Sequence, residues 1–316
     1  MAPPDRWMNP STWDRRRSFF AVVAALTGVA IALALPMHAS SAPSADESQT
    51  GAPHALHTLH HDGRPTSPDS GSNVAASASP ATGSGPAAPT TSEADARLSQ
   101  LARFGRPIFC GGVTKPLVAL TFDDGPGVLS PEALRTLRRH DATATFFLVG
   151  KLVEETEFTH VLQEEVRFGA AFGDHTWDHV GMTGRSPAFM NEQIARTRHA
   201  IEARTHAPVT LFRPPFGTHD AALDTYVRSQ GMLEVIWSID SGDSQGANAD
   251  EIFQRVRQNL SPGDIILMHD NRASTENALP QILDLIDQRG FTTVTVPQLL
   301  AMDPPSTQQL MQGSCS

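Results

Sequence analysis

Cysteine is nearly absent from this 316-residue sequence, which holds only Cys110 and Cys315. Two such distant thiols are too few for a disulfide scaffold and lack the close spacing of a zinc ribbon. Positive charge is also in deficit. Twenty-four Lys and Arg against 34 Asp and Glu leave a formal net charge of −10, and a chain of that sign is repelled by a phosphate backbone, which argues against a nucleic-acid partner. Charged residues make up only 18% of the chain and hydrophobic ones 40%, so part of it can bury a core and part cannot. The length allows one large domain or two modest ones.

The N-terminus carries an address out of the cytoplasm. Arg15, Arg16 and Arg17 precede an apolar run from Phe19 to Met37, broken only by Thr27, Gly28 and Pro36. A basic segment followed by an apolar stretch is the layout of a signal peptide, and about 20 apolar residues would also span a bilayer. Ala39-Ser40-Ser41 offers small residues for cleavage, while Pro43 disfavours cutting after Ala42. Arg16-Arg17-Ser18-Phe19-Phe20 resembles a twin-arginine signal; an ordinary secretory signal or an uncleaved anchor remains open beside it. No cysteine follows the run, which argues against a lipoprotein. Residues 1–42 are therefore expected to engage the export machinery or the membrane, leaving the protein secreted, periplasmic or at the cell surface. Residues 43–110 are expected as a flexible linker, being rich in Ser, Ala, Pro, Gly, Thr and His without apolar periodicity. Its His54, His57, His60 and His61 could bind a metal loosely, but a solvated polar tract without fixed geometry is the favoured reading.

From Lys115 onward the texture alternates. Strand-like runs are Pro116 to Phe122, Thr143 to Val149, Ala170 to Gly173, Val209 to Phe212, Leu233 to Ile239, Asp264 to Met268 and Phe291 to Val296. Helical stretches fall between them, one opened by Ser130 as cap with Pro131 in its first turn, another by Ser186-Pro187. About seven βα units make a parallel sheet, and roughly 190 residues fall short of the ~250 of a full eight-unit barrel. The fold class is α/β: a distorted, incomplete (β/α) barrel, preceded by the linker and the export segment. Chemistry in such folds gathers where strands end.

Five polar clusters sit at those ends. Asp123 and Asp124 in Thr121-Phe122-Asp123-Asp124-Gly125-Pro126 are adjacent carboxylates after a buried strand, costly unless they bind a cation or differ in protonation. His175 and His179 are four apart, which places both on one side of a helical turn. With Asp124 they make a set that leaves positions open for water and substrate. Arg213 in Arg213-Pro214-Pro215-Phe216-Gly217 can keep a neighbouring carboxylate ionised. Asp243, in the run from Trp237 to Asp243, could orient His269 of Leu267-Met268-His269-Asp270 as a proton donor. Taken singly, an Asp-Gly turn, a surface histidine pair, a structural arginine, a capping aspartate and a core histidine are the safer readings. Five of them at five strand ends are improbable as coincidence.

The ordered set TFDDGP, HTWDH, RPPFG, DSGD and LMH resembles the motifs of NodB-type polysaccharide deacetylases, carbohydrate esterase family four, over about Lys115 to Met302. The resemblance implies a metal-dependent hydrolase that removes N-acetyl groups from N-acetylglucosamine or N-acetylmuramic acid units of peptidoglycan or a chitin-like polymer. It implies Asp123 as general base, and Asp124, His175 and His179 as ligands of a divalent metal, Zn²⁺ first, with Co²⁺ or another ion as alternatives. Arg213 would hold Asp123, and Asp243 would support His269 as general acid. Phe216, Pro215 and Leu267 would border the substrate, Phe216 through its backbone N–H. Two departures stand out: Phe216 replaces a common tyrosine, and Ser244 replaces a tryptophan that commonly walls the sugar site. An O-acetyl esterase on xylan or another wall polysaccharide, and a non-catalytic wall-binding module, are the competing functions. The catalytic domain is expected over 111–303, with a C-terminal tail at 304–316 and a monomer by default. Cys110 and Cys315 flank this domain and in an oxidising compartment could pair; free thiols or a link to another chain are the alternatives.

Overall fold

A computed structural model describes residues 91–315. The expected export segment and most of the expected linker, with its four histidines, lie outside the described residues. Among the described residues, no helix is long and apolar enough to cross a membrane.

The chain alternates as expected. Helix α1 (Thr91–Phe104) leads to β1 (Leu117–Gly125), α2 (Ser130–Arg139), β2 (Ala144–Leu148), α3 (Gly150–Glu154), α4 (Thr159–Phe168) and β3 (Ala171–Asp174). Then come α5 (Pro187–Thr205), β4 (Leu211–Phe212), α6 (Ala221–Ser229), β5 (Leu233–Glu234), β6 (Ile239–Asp240) and α7 (Ala249–Asn259). The last elements are β7 (Ile265–His269), α8 (Ala273–Gln288), β8 (Thr292–Thr293), α9 (Val296–Met302) and α10 (Thr307–Gln312). Local chemistry sets many boundaries. Ser186 and Asp220 cap α5 and α6 with their side-chain oxygens, and capping boxes open α7, α9 and α10.

The strands are parallel in the order β5-β4-β3-β2-β1-β7-β6, with β8 paired to the start of β1. Flat, seven strands at about 4.8 Å spacing would set β5 and β6 about 29 Å apart. Yet only Val235 to Ser238 separate them in sequence, a reach of at most about 18 Å. The sheet must curl until its two edges face each other, which makes it a distorted, incomplete barrel. Ile108 pairs in parallel with Val235 in that link, donating to the Glu234 carbonyl at 2.8 Å and accepting from the Ile236 N–H at 2.7 Å.

Alternation along the strands splits the apolar residues between two cores. Leu120, Phe122, Phe146, Phe212 and Met268 face outward, against the helices. Ala119, Phe147, Leu211, Leu233, Val235 and Ile265 face inward. Helices α1 and α9 close the lower end of the barrel, where Leu98, Leu101, Leu299 and Leu300 join the inner core.

Several expectations need correction. Residues 91–104, expected within the linker, form α1, because Leu98, Leu101 and Ala102 give it a face to bury. The tail at 304–316 is docked: α10 buries Leu310, and Cys315 is bonded to Cys110 with Cα atoms 5.9 Å apart. Ser130 does not cap α2; Leu129 precedes the helix, and the Ser130 hydroxyl instead accepts from Gly127 N–H and donates to Asp270. The run Leu233 to Ile239 is two strands rather than one, since the Val235 and Ile236 carbonyls bond to Arg213. Phe291 to Val296 keeps only Thr292–Thr293 as strand, because Thr295 caps α9 and turns the chain into a helix.

Candidate active site

The inward parity that carries Ala119 and Thr121 also carries Asp123, and on β7 it carries Ile265, Leu267 and His269. One residue beyond β3 and β4, the same parity brings in His175 and Arg213. Asp124 breaks the alternation. Its φ of 70° is left-handed, and the β1–β2 register shifts between Asp123 and Gly125. That bulge lets two successive carboxylates reach one mouth. Left-handed backbone recurs at Thr176, His179 and Phe216, a concentration of strain that functional sites typically store.

The His175–His179 segment is not the expected helical turn. It is a loop in which Gln193 accepts from the N–H groups of Trp177 and Asp178 at 3.1 and 3.0 Å. The two imidazoles nevertheless converge. The Nε2 atoms of His179 and His175 lie 3.1 and 3.6 Å from Asp124 Oδ1. That oxygen is buried and accepts no hydrogen bond. His175 Nδ1 lies 2.8 Å from the Arg213 carbonyl, a contact that takes Nδ1–H as donor and leaves the Nε2 lone pair free. Burial pushes His175 down to about 3, so it is neutral, as a ligand must be. Bonds of about 2.0–2.1 Å in a tetrahedral zinc site place ligand atoms about 3.4 Å apart. The trio fits a divalent ion.

Beside it, Asp123 Oδ1 accepts from Arg213 Nη1 at 2.6 Å. Arg213 is wholly buried and also donates to Thr121 Oγ1 and to the carbonyls of Val235 and Ile236. Its guanidinium stacks 4.0 Å from the Phe147 ring centre. That ring needs Gly173, where a Cβ would come within 2.3 Å of it. Burial raises the Asp123 carboxyl, against the opposing pull of Arg213 and His269.

On the other side, Asp243 Oδ1 faces His269 Nδ1 at 2.8 Å, and Oδ2 accepts from His269 N–H and Thr275 Oγ1 at 2.7 and 2.6 Å. Burial works to lower His269, but the Asp243 hydrogen bond and charge, with Asp123 and Asp124, push it up to about 9. Burial likewise tends to raise Asp243, and its hydrogen bonds with His269 and Thr275 hold it below the usual range. His269 Nε2 is directed toward the trio, 4.0 Å from Asp124 Oδ2.

Residues 111–235 match the family described as polysaccharide deacetylase. The peptidoglycan-N-acetylglucosamine deacetylase PgdA of Listeria monocytogenes is 34% identical over 188 residues, 59% of this chain and 39% of that protein. This chain thus spans well under half of the Listeria protein. A peptidoglycan-N-acetylglucosamine deacetylase of Bacillus cereus is 32% identical over 58% of this chain and 88% of its own length. The chain belongs to the polysaccharide deacetylase family. Among solved structures, a pseudoenzyme of carbohydrate esterase family four from Bacillus anthracis is similar, with a TM-score of 0.59 and 30% identity over 64% of this chain and 70% of that one. A family fold therefore does not by itself carry activity, and the site has to be judged on its side chains.

In this family member Asp123, Asp124, His175, His179, Arg213, Asp243 and His269 lie together at one mouth. Family deacetylases are metal-dependent, and Asp124, His175 and His179 offer a possible ion site. Pro215 is buried, Phe216 is exposed at the mouth with its ring edge toward His179, and Leu267 sits on the inner face one layer below His269. Ser244 is exposed and raises no wall over the groove, while its N–H donates to Asp243 at 2.7 Å. Thr121, Gln193 and Thr275 were missed. Thr121 and Thr275 hydrogen-bond Arg213 and Asp243, and Gln193 holds the His175–His179 loop through Trp177 and Asp178; nothing in a lone threonine or a helical glutamine signals that. Asp270 stood in the quoted fifth cluster without a role; it is buried, bonded to Ser130, and pushed by burial up to about 7.

Proposed function

We propose that this protein removes N-acetyl groups from N-acetylglucosamine or N-acetylmuramic acid units of peptidoglycan or a chitin-like polymer, outside the cytoplasm, with a divalent ion, Zn²⁺ first, held by Asp124, His175 and His179. The observation that carries this reading is the pairing around the trio: a carboxylate held by Arg213 on one side and a histidine held by Asp243 on the other. A binding module has no use for both proton carriers.

The ion, when bound, supplies Lewis acidity toward the acetamide carbonyl and a more acidic water. Asp123, whose carboxyl burial raises against the opposing ion pair with Arg213, takes the proton of the attacking water. The backbone N–H of Phe216, on a loop stiffened by Pro214 and Pro215, donates to the developing oxyanion. His269 is protonated at neutral pH and delivers that proton to the departing amine, which leaves poorly without it. Asp243 and Thr275 fix its ring.

The test is acetate release by the full chain from N-acetylglucosamine oligomers, peptidoglycan and acetylated xylan, after chelation and again with zinc or cobalt restored. Metal-restored release from an N-acetylated glycan is the expected result. Release from xylan alone moves the protein to the O-acetyl esterase reading, and silence on all three overturns the proposal.

A further inference from the structure

Away from the trio, Glu234 closes β5 with its side chain on the outward parity, opposite to Leu233 and Val235. Only 4% of it is exposed, both carboxylate oxygens are buried, and neither has a hydrogen-bond partner. A bare buried carboxylate is costly unless something positive sits against it. Arg106 and Arg228 line the cleft beside it, yet neither bonds to it. What does stand close is more acid and one imidazole. His219 Nδ1 lies 3.0 Å from Asp224 Oδ1, and one ligand atom each from His219, Asp224 and Glu234 fall within 4.8 Å of one another. Asp220 caps α6 beside them through the N–H groups of Ala222 and Leu223. That cap holds His219 and Asp224 on one side of the first turn.

We propose that His219, Asp224 and Glu234 form a second divalent-cation site, independent of the active-site trio, that braces the loop carrying Phe216. One imidazole and two carboxylates are the donor set of Zn²⁺, Mn²⁺ or Co²⁺ rather than of a soft thiolate-binding ion. The ligand atoms lie within 4.8 Å of one another, up to about 1.4 Å wider than a closed tetrahedral site requires, and the partly exposed His219 ring can supply that movement. His219 follows Phe216 by three residues on the chain that runs on from Arg213. An ion here pins that loop to the β5 edge without touching substrate.

The experiment uses the full chain, stripped by chelation, dialysed to equilibrium against fixed free zinc, and assayed by elemental analysis. Glu234→Gln and His219→Ala are each expected to bind one ion fewer than the parent. The histidine tract at 54–61 adds the same background to each, so the differences are read. His175→Ala should also lose an ion while keeping the one that depends on Glu234. Zinc should raise the melting temperature of the parent more than that of Glu234→Gln. If Glu234→Gln and His219→Ala both retain the parent's zinc count, the proposal fails and Glu234 is a protonated core carboxyl. Should Glu234→Gln not fold, His219→Ala alone decides by the same count, since that ring is near the surface.

Discussion

The two sides of the trio are built from the same ingredients with opposite polarity. On the β1–β4 side the carboxylate of Asp123 faces the trio, and the cation, Arg213, is the buried support. On the β7 side the imidazole of His269 faces the trio, and the carboxylate, Asp243, is the support. Each support is itself held from behind: Arg213 by two backbone carbonyls, Thr121 and the Phe147 ring, Asp243 by Thr275 and by the N–H groups of Ser244 and His269. A buried charge of either sign is affordable only when its remaining hydrogen-bonding positions are filled. The difference between the sides lies in what the support does to its partner. Arg213 opposes the effect of burial on a carboxyl, and Asp243 opposes it on an imidazole.

Breaking the working group should matter most. Asp123→Asn should lower kcat/KM about 10²–10⁴-fold with the fold intact, measured by acetate release; a loss under tenfold would remove Asp123 from proton transfer. His269→Ala should slow amide cleavage about 10²–10³-fold and ester cleavage less, because an alkoxide depends less on protonation to leave. Equal losses on an N-acetyl and an O-acetyl substrate would erase the distinction between the two sides.

Breaking a support tests the comparison itself. Arg213→Lys puts a point charge where a planar fork made several bonds, and should cost about 2–4 kcal/mol in urea unfolding as well as activity. Asp243→Asn should act through pH. His269 must be protonated to work, so rate falls as pH rises through its value near 9. Without the carboxylate, burial wins and lowers that value, so the falling limb of kcat/KM should move to lower pH. The stability effect has the same sign: a histidine raised above its unfolded value near 6.5 stabilises the fold fully below that pH, and the gain is lost as pH rises toward 9. Urea titrations of the variant should lack that decline. Thr275→Val should give the smallest change, about 1 kcal/mol and a slight shift of the same limb.

The βα order and the clustering of polar motifs at strand ends were legible because parallel strands are buried on both faces and stand out as apolar runs. The break inside Leu233 to Ile239 was not legible, since the run is apolar throughout and only the Arg213 donors divert its carbonyls. Helix α1 was hidden because its few apolar residues follow a long polar tract and acquire a partner only when α9 and the barrel floor are present. The Cys110–Cys315 bond was left open for the same reason: its ends lie 205 residues apart in sequence, and only the folded chain brings them together.

What the sequence determined by itself was the order of the strands and the placing of Asp123, Arg213 and His269 at or just past the ends of theirs. Two things were left to tertiary structure. One is the left-handed backbone at Asp124 and His179, which aims their side chains at a common point against their local preference and is held there only by surrounding contacts. The other is the curl of the sheet, which depends on the short link from β5 to β6 and turns residues spread over some 150 positions into one mouth. Strand identity is a local property of the chain; the convergence of strands is a property of the closed surface they form.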